Sequence, residues 1–382
     1  LTNQCAAGVC TAPSSSGGGT ATGGGTATGG GTTTGGGTAT GGGAGPVTAR
    51  TFKPDVVLVV DTSGSMALPI DPTSPACPTG CGPSTACPTS CATRASVLRS
   101  ALTSLLNTDA RFGLVRFPID AVCGEPTGWT LLVPSSDVTA DLQAQSSNVA
   151  SAIGAFNFQG GTPTGSALRL VGAMPPPAEA GREQFALLVT DGAPNCDASN
   201  PNNQCTAPNT ACQCTTTSCT GSLCSKGCLD TAGATTAATA LATANLKTMV
   251  VGLGADVATS SAALDSIAAA GGAPAQCPGL TSAECGANAS CTAGVCSRPW
   301  YSVLSLADGT QAMALINKRL RTSGQCRFVL SRTVAAGKLQ VRVGAATLAS
   351  SGFTHAGDRV TLGPVACEQV LAGSVASFTE LP

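Results

Sequence analysis

Charge is what this chain has least of. Only 10% of its 382 residues are Asp, Glu, Lys or Arg, and the net charge is −1. No basic field is available to draw in nucleic acid or an anionic membrane surface. Histidine is nearly missing too, with His355 alone. A zinc site would therefore have to be built from cysteine only. No apolar run approaches the roughly 18 residues that a spanning helix needs. There is no P-loop, no Rossmann glycine fingerprint after a strand and no nucleophile elbow. The chain begins at Leu1, without Met and without a charged-then-apolar leader, which reads as the mature or trimmed form of an exported protein. Any membrane attachment would then come from a lipid or a partner.

Cysteine is the excess, with 20 residues gathered in clusters rich in Pro, Thr, Asn and Gly. That usage favours a disulfide-stapled protein of an oxidising compartment. Zinc is the rival reading, with Cys77-x3-Cys81, Cys87-x3-Cys91 or Cys212-x-Cys214 as ligand pairs. Residues 1–16 carry Cys5 and Cys10, close enough to bridge into a small loop. Residues 17–45 are GGGTAT repeats with no apolar side chain larger than Ala. They cannot build a core and read as a flexible tether spanning roughly 30 Å.

The first apolar run, Val56–Val60, reads as a strand buried on both faces. It ends in Asp61-Thr62-Ser63-Gly64-Ser65. Acidic and hydroxyl oxygens on a tight loop suit a hard divalent cation. The same residues also read as a strand-to-helix turn with Ser65 as N-cap. A Pro/Cys-rich insertion, 69–91, precedes a helix at 92–107. A strand is predicted at 111–118, and a short antiparallel edge partner at 129–133. Asp137 is placed as the cap of a helix to 155. Gly160-Gly161-Thr162-Pro163-Thr164-Gly165 then leads into a helix that a triple proline stops at 175–177. The apolar strand 184–189 ends in Thr190-Asp191-Gly192, and a second cysteine-rich insertion covers 193–228.

Helices at 230–245 and 259–270 flank a strand at 247–252, and a third insertion spans 271–298. A strand at 300–306 and a helix to 321, with Asp308 placed as its cap, close the series. This alternation over 52–321 predicts an α/β fold, a doubly wound and mostly parallel sheet with disulfide-rich insertions. Lys338–Val343 and Asp358–Leu362 alternate polar and apolar as half-buried strands, and residues 325–382 read as a small C-terminal all-β appendage. Cys326 and Cys367 are its only cysteines and are expected to staple it.

The order DxSxS after a strand, GGTxTG opening a helix and TDG after a strand resembles the von Willebrand factor A domain family, integrin I domains included. The resemblance covers about 52–321 and implies a metal-ion-dependent adhesion site made from Asp61, Ser63, Ser65, Thr162 and Asp191. It implies direct ligation by Ser63 and Ser65, ligation mainly through water by Asp61 and Asp191, and ligation by Thr162 when the site is competent for ligand. The implied cation is Mg²⁺ first, with Mn²⁺ or Ca²⁺ as alternatives. An acidic group from a protein or surface ligand would complete its shell.

No His stands near these motifs, and no Glu or Lys that the sequence clearly places there, so no base is nominated and an enzyme is not expected. Cys123 and Cys196 both fall on the implied metal face and are expected to pair. The first two insertions should crowd that face, and the third should lie opposite. The disulfides, the tether and the terminal β module together resemble exported surface lipoproteins of myxobacteria, among them a gliding-motility adhesin. That implies a cell-surface adhesin, lipid-anchored at an outer membrane or else secreted, with an envelope complex as a further partner. A non-adhesive docking subunit with a degenerate metal site is the alternative.

Overall fold

The structure, a computed structural model, describes residues 5–6, 9–10, 44–121, 123–196, 229–258 and 260–382. Residues 1–42 and 43–382 are separate compact units. In the first, Cys5 and Cys10 oppose each other in a two-residue antiparallel ribbon. The side chains of the expected Cys5–Cys10 bridge, and most of the 17–45 repeat, lie outside the described residues.

Two short strands open the second unit, β1 (Gly45–Val47) and β2 (Ala49–Arg50). Their partners come only after residue 326. Between lies an α/β domain. Its strands are β3 (Asp55–Asp61), β4 (Arg111–Phe117), β5 (Gln184–Thr190), β6 (Leu246–Leu253) and β7 (Tyr301–Val303). They form one sheet in the order β7-β6-β5-β3-β4, parallel throughout. Its helices are α1 (Arg94–Leu105), α2 (Thr139–Gly154), α3 (Thr164–Ala173), α4 (Thr231–Thr243), α5 (Ser261–Ala270) and α6 (Leu306–Gln325).

The two-residue period of β3 explains the layering. Val56, Leu58 and Val60 pack with α1, α2 and α6, whereas Val57 and Val59 pack with α3, α4 and α5. All five side chains are fully buried. Burial of each contributes about 1.5–3 kcal/mol, which is why an unbroken apolar run is required here.

Three local expectations change. Residues 129–133 form no strand and touch β4 through one antiparallel bridge, Leu114 with Leu131. Leu114 and Leu131 exchange backbone hydrogen bonds there, and a Cβ on Gly113 would lie 2.5 Å from the Trp129 ring and 2.8 Å from Val133, so the pairing stops at one residue while the flanking side chains pack on edge strand β4. Asp137 caps nothing and instead pairs with Arg182 at 2.8 Å. Helix α6 is capped not by Asp308 but by Ser305, whose side chain accepts from the Asp308 N–H.

Beyond α6 the strands are β8 (Arg327–Leu330), β9 (Leu339–Val343), β10 (Ala346–Thr347), β11 (Phe353–Ala356) and β12 (Arg359–Leu362). Helix α7 (Pro364–Leu371) and strand β13 (Ala376–Glu380) follow. The antiparallel β appendage therefore carries one helix. It also takes in both opening strands. One of its sheets runs β11-β12-β8-β2 and the other β10-β9-β13-β1. They share a core of Val47, Leu330, Val341, Val360 and Phe378. Cys326 and Cys367 are bridged, joining the end of α6 to α7.

Deleting residues 1–42 should leave the melting temperature of the remainder unchanged. Deleting 1–50 removes a strand from each sheet of the β module and exposes its core, so calorimetry should show a lower transition.

Candidate metal centre

The sheet changes direction at β3. From it the chain passes to β4 on one side and returns to β5 on the other. Loops at the C-terminal ends part at such a point, and open α/β sheets bind ligands in the crevice. Asp61 ends β3 and Asp191 follows β5, so both stand there.

The loop geometry grows from Asp61. The Ser63 N–H donates to Asp61 Oδ1 at 2.8 Å, turning the chain sharply after the strand. Thr190 Oγ1 donates to Asp61 Oδ2 at 2.6 Å, tying the ends of β3 and β5 together. Gly64–Ala67 then form a single 3₁₀ turn, and Ser63 in the cap position makes no side-chain cap bond. Ser65 lies inside that turn, so the N-cap reading of Ser65 does not hold. The freed hydroxyls converge. Ser63 Oγ lies 3.1 Å from Ser65 Oγ, and Ser65 Oγ donates to Asp191 Oδ1 at 2.8 Å.

Thr162 is buried on the second loop. That loop is laced to the first by Gly64 N–H to Gly160 O at 3.0 Å and Gln159 N–H to Thr62 O at 2.8 Å. Asn195, which the sequence reading missed, clamps Thr162 from both sides. Its Oδ1 accepts the Thr162 N–H at 2.7 Å, and its own N–H donates to Thr162 O at 3.2 Å. Asn195 is held in turn by its neighbour, since Cys196 is bridged to Cys123. The bridge rests on the second loop. A Cβ on Gly161 would meet Cys196 Sγ at 2.5 Å and Cys123 Sγ at 3.3 Å.

Arg94 is the second residue missed. It opens α1 and is buried. Its Nη1 lies 2.8 Å from Asp191 Oδ2. A sequence signal for it does exist, because a cation in the first turn of a helix opposes the macrodipole and calls for a reason.

The converging atoms are all oxygens, two hydroxyls and a carboxylate, a set that suits a hard divalent cation. Thiolate sites are a different matter. Among the described residues, the clusters of His, Cys, Asp and Glu close enough to hold a metal are Cys81–Cys87–Cys91 and Cys277–Cys285–Cys296. Their sulfurs are consumed by the bridges 77–91, 81–87, 277–291 and 285–296. The Cys77-x3-Cys81 and Cys87-x3-Cys91 zinc pairs are thus overturned, because each cysteine bonds across the motif. Cys212 and Cys214 lie outside the described residues.

Burial, and then the nearby Asp191 carboxylate, push the Asp61 carboxyl up to about 7 against the donors Thr190 and Ser63. Burial and the neighbouring carboxylate thus both disfavour the ionised form of Asp61.

No family model and no curated protein matches the chain. Solved structures do. The chain is similar to a von Willebrand factor type A protein from Catenulispora acidiphila. Identity is 13%, with 89% of this chain and 62% of that one covered and a TM-score of 0.35. It is also similar to the pilus adhesin SpaC from Lactobacillus rhamnosus GG at 15% identity and a TM-score of 0.44. That match covers 87% of this chain but spans only 40% of the adhesin's length. A third likeness is to proximal thread matrix protein 1 from the mussel byssus with a zinc-occupied MIDAS motif. Here identity is 11%, coverage 54% and 38%, and the TM-score 0.30.

The insertions sit around the oxygen cluster unequally. The first is closed at its stem by a Pro69–Thr93 bridge and by Ile70 N–H to Ala92 O. It folds back so that Pro83 Cγ lies 3.7 Å from where a Gly64 Cβ would be. The second leaves and rejoins the same face, where Asp230 N–H donates to Pro194 O at 2.9 Å. Its residues 197–228 lie outside the described residues. The third is not confined to the opposite face. It runs along α6, from Ala283 O against Gln311 to Pro274 O against Arg319.

Two measurements check this geometry. Replacing Asn195 by Ala leaves the largely buried Thr162 N–H without its acceptor and should cost about 1–3 kcal/mol, read as a lower melting temperature. In cation-free protein Asp61 holds its proton up to about 7, whereas an unfolded aspartate releases it near ~3.9. The folded state binds more protons between those values, so stability should fall as pH rises through that window. Melting in EDTA should be higher at pH 5 than at pH 8, and Asp61→Asn should flatten the difference.

Proposed function

We propose that this protein is an exported cell-surface adhesin that holds a divalent cation, Mg²⁺ by preference, and uses it to capture an acidic group of a protein or surface ligand. The observation that carries the reading is the convergence of Ser63 Oγ, Ser65 Oγ and Asp191 Oδ1, at 3.1 and 2.8 Å, in the crevice where the sheet order reverses. Ser63 and Ser65 would ligate through their hydroxyls. Thr162 would join when ligand is bound. Asp61, whose oxygens already accept from Ser63 and Thr190, would act through water and by shaping the loop.

Few direct carboxylates leave a cation electrophilic, and Mg²⁺ keeps exchangeable waters in an octahedral shell. A ligand carboxylate can replace one of them. In this reading Asp61 shapes the loop and serves the cation, and the protein binds its ligand without turning it over. His355 is half-buried in the β module, and its Nε2 lies 2.9 Å from Gly357 O.

Export is supported by the disulfides. No helix among the described residues is long and apolar enough to cross a membrane. Attachment at an outer membrane through a lipid, and a role in gliding motility, extend this reading. A second reading, a docking subunit of an envelope complex, draws on the β module, which offers a surface independent of the metal loops.

EDTA, and separately Asp61→Ala or Ser65→Ala, should abolish adhesion of cells carrying the protein while circular dichroism shows the fold retained. Adhesion that survives both chelation and substitution would sink the cation mechanism and favour the docking subunit.

A further inference from the structure

Asp191 faces two ways. Its Oδ1 belongs to the hydroxyl cluster, accepting from Ser65 Oγ at 2.8 Å. Its Oδ2 accepts from Arg94 Nη1, also at 2.8 Å, and both side chains are almost wholly buried, at 4% and 1% exposure. Burying a guanidinium is costly, and placing one in the first turn of α1 opposes the helix dipole. The fold nevertheless makes room for it. Gly254, just beyond β6, has φ +88°, and a Cβ there would lie 2.6 Å from Arg94 Nε and 3.1 Å from its Cζ. Bare backbone at this position lets the guanidinium lie flat against the loop. The Gly254 N–H is fixed by Val303 O at 2.8 Å.

The consequence concerns which cation the loops accept. Ca²⁺ takes six to eight oxygens and readily uses both oxygens of one carboxylate, whereas Mg²⁺ and Mn²⁺ take one oxygen per group in an octahedron. Arg94 already draws on Asp191 Oδ2 and holds the carboxylate's orientation, which opposes bidentate binding through both oxygens. Asp61 is committed in the same way, to Ser63 N–H and Thr190 Oγ1. Arg94 also neutralises part of the charge that Asp191 would give a cation, which lowers affinity for every divalent ion.

We propose that Arg94 is the residue that sets the cation preference of this centre. By occupying Asp191 Oδ2, it selects a small octahedral cation over Ca²⁺ and keeps affinity low enough that an acidic ligand group is needed to complete the shell. The inference rests on the cation reading above and names a determinant within it. Arg94 here is a positioning residue that acts through Asp191.

The test is calorimetric titration of the full chain with MnCl₂, MgCl₂ and CaCl₂, with no adhesion ligand present. Wild-type protein should bind Mn²⁺ at least tenfold more tightly than Ca²⁺. Arg94→Met, which removes charge and donors at similar length, should tighten binding of all three, Ca²⁺ most, and shrink the Mn²⁺/Ca²⁺ ratio at least fivefold. Arg94→Lys should restore part of the ratio. Gly254→Ala, which crowds the guanidinium without removing its charge, should move the ratio in the same direction as Arg94→Met. It serves if that variant fails to fold.

Equal affinity of wild type for Mn²⁺ and Ca²⁺ overturns the inference and leaves the cation reading standing. So does an unchanged ratio in the folded variants. No heat with any of the three cations overturns both.

Discussion

A strand buried on both faces that begins and ends in aspartate must find a partner for each carboxylate inside the protein. Strand β3 does this differently at its two ends. At the start, Asp55 accepts from Arg111 at 2.6 Å and from Gln184 at 3.0 Å, a charge matched by a charge. At the finish, Asp61 accepts only from neutral donors, and a second carboxylate, Asp191, stands nearby. The first end is an anchor. At the second, Arg94 pairs with Asp191, and burial raises the Asp61 carboxyl to about 7, so this end carries a carboxyl matched by no cation of its own among the described residues.

The support for this end comes in layers. The first loop is turned by Asp61, and the second is laced to it through backbone bonds. The second is pinned from behind by Asn195, and Asn195 is fixed by the Cys123–Cys196 bridge. The two loops and Asn195 are distant in sequence, and the bridge reaches Asn195 through the adjacent Cys196. A hydroxyl cluster of this kind needs such support, because Ser side chains carry little packing of their own and would otherwise turn toward solvent. In an oxidising compartment a covalent staple is an available means of holding a loop that has few apolar contacts.

Much of this was legible in the sequence and some was not, for physical reasons. The strands with continuous apolar runs, Val56–Val60 and the stretch before Asp191, stand out because burial on both faces demands such runs. The loop oxygens stand out because they follow those runs directly. Residues 45–50 do not stand out. Strands of two or three residues have no period to read, and their meaning depends on partners some 280 to 330 positions away. Residues 129–133 have strand-like composition, yet their side chains cover an edge instead of extending the ladder. Arg94 and Asn195 act across 97 and 33 residues, and neither spacing has a motif. Asp137 looks like a cap from its position, but the arginine it serves is visible only in three dimensions.

The β module has a consequence for how the protein would be held. Gly45 sits opposite Glu380, and Arg50 opposite Val329, so the chain enters and leaves this unit at neighbouring points. Arg327, at the start of β8, pairs at 2.7 Å with Glu183, which immediately precedes β5. The module therefore meets the sheet at the end opposite the metal loops. A pull applied at Gly45 would load the module's ladders first, at the end of the sheet away from Asp61 and Asp191.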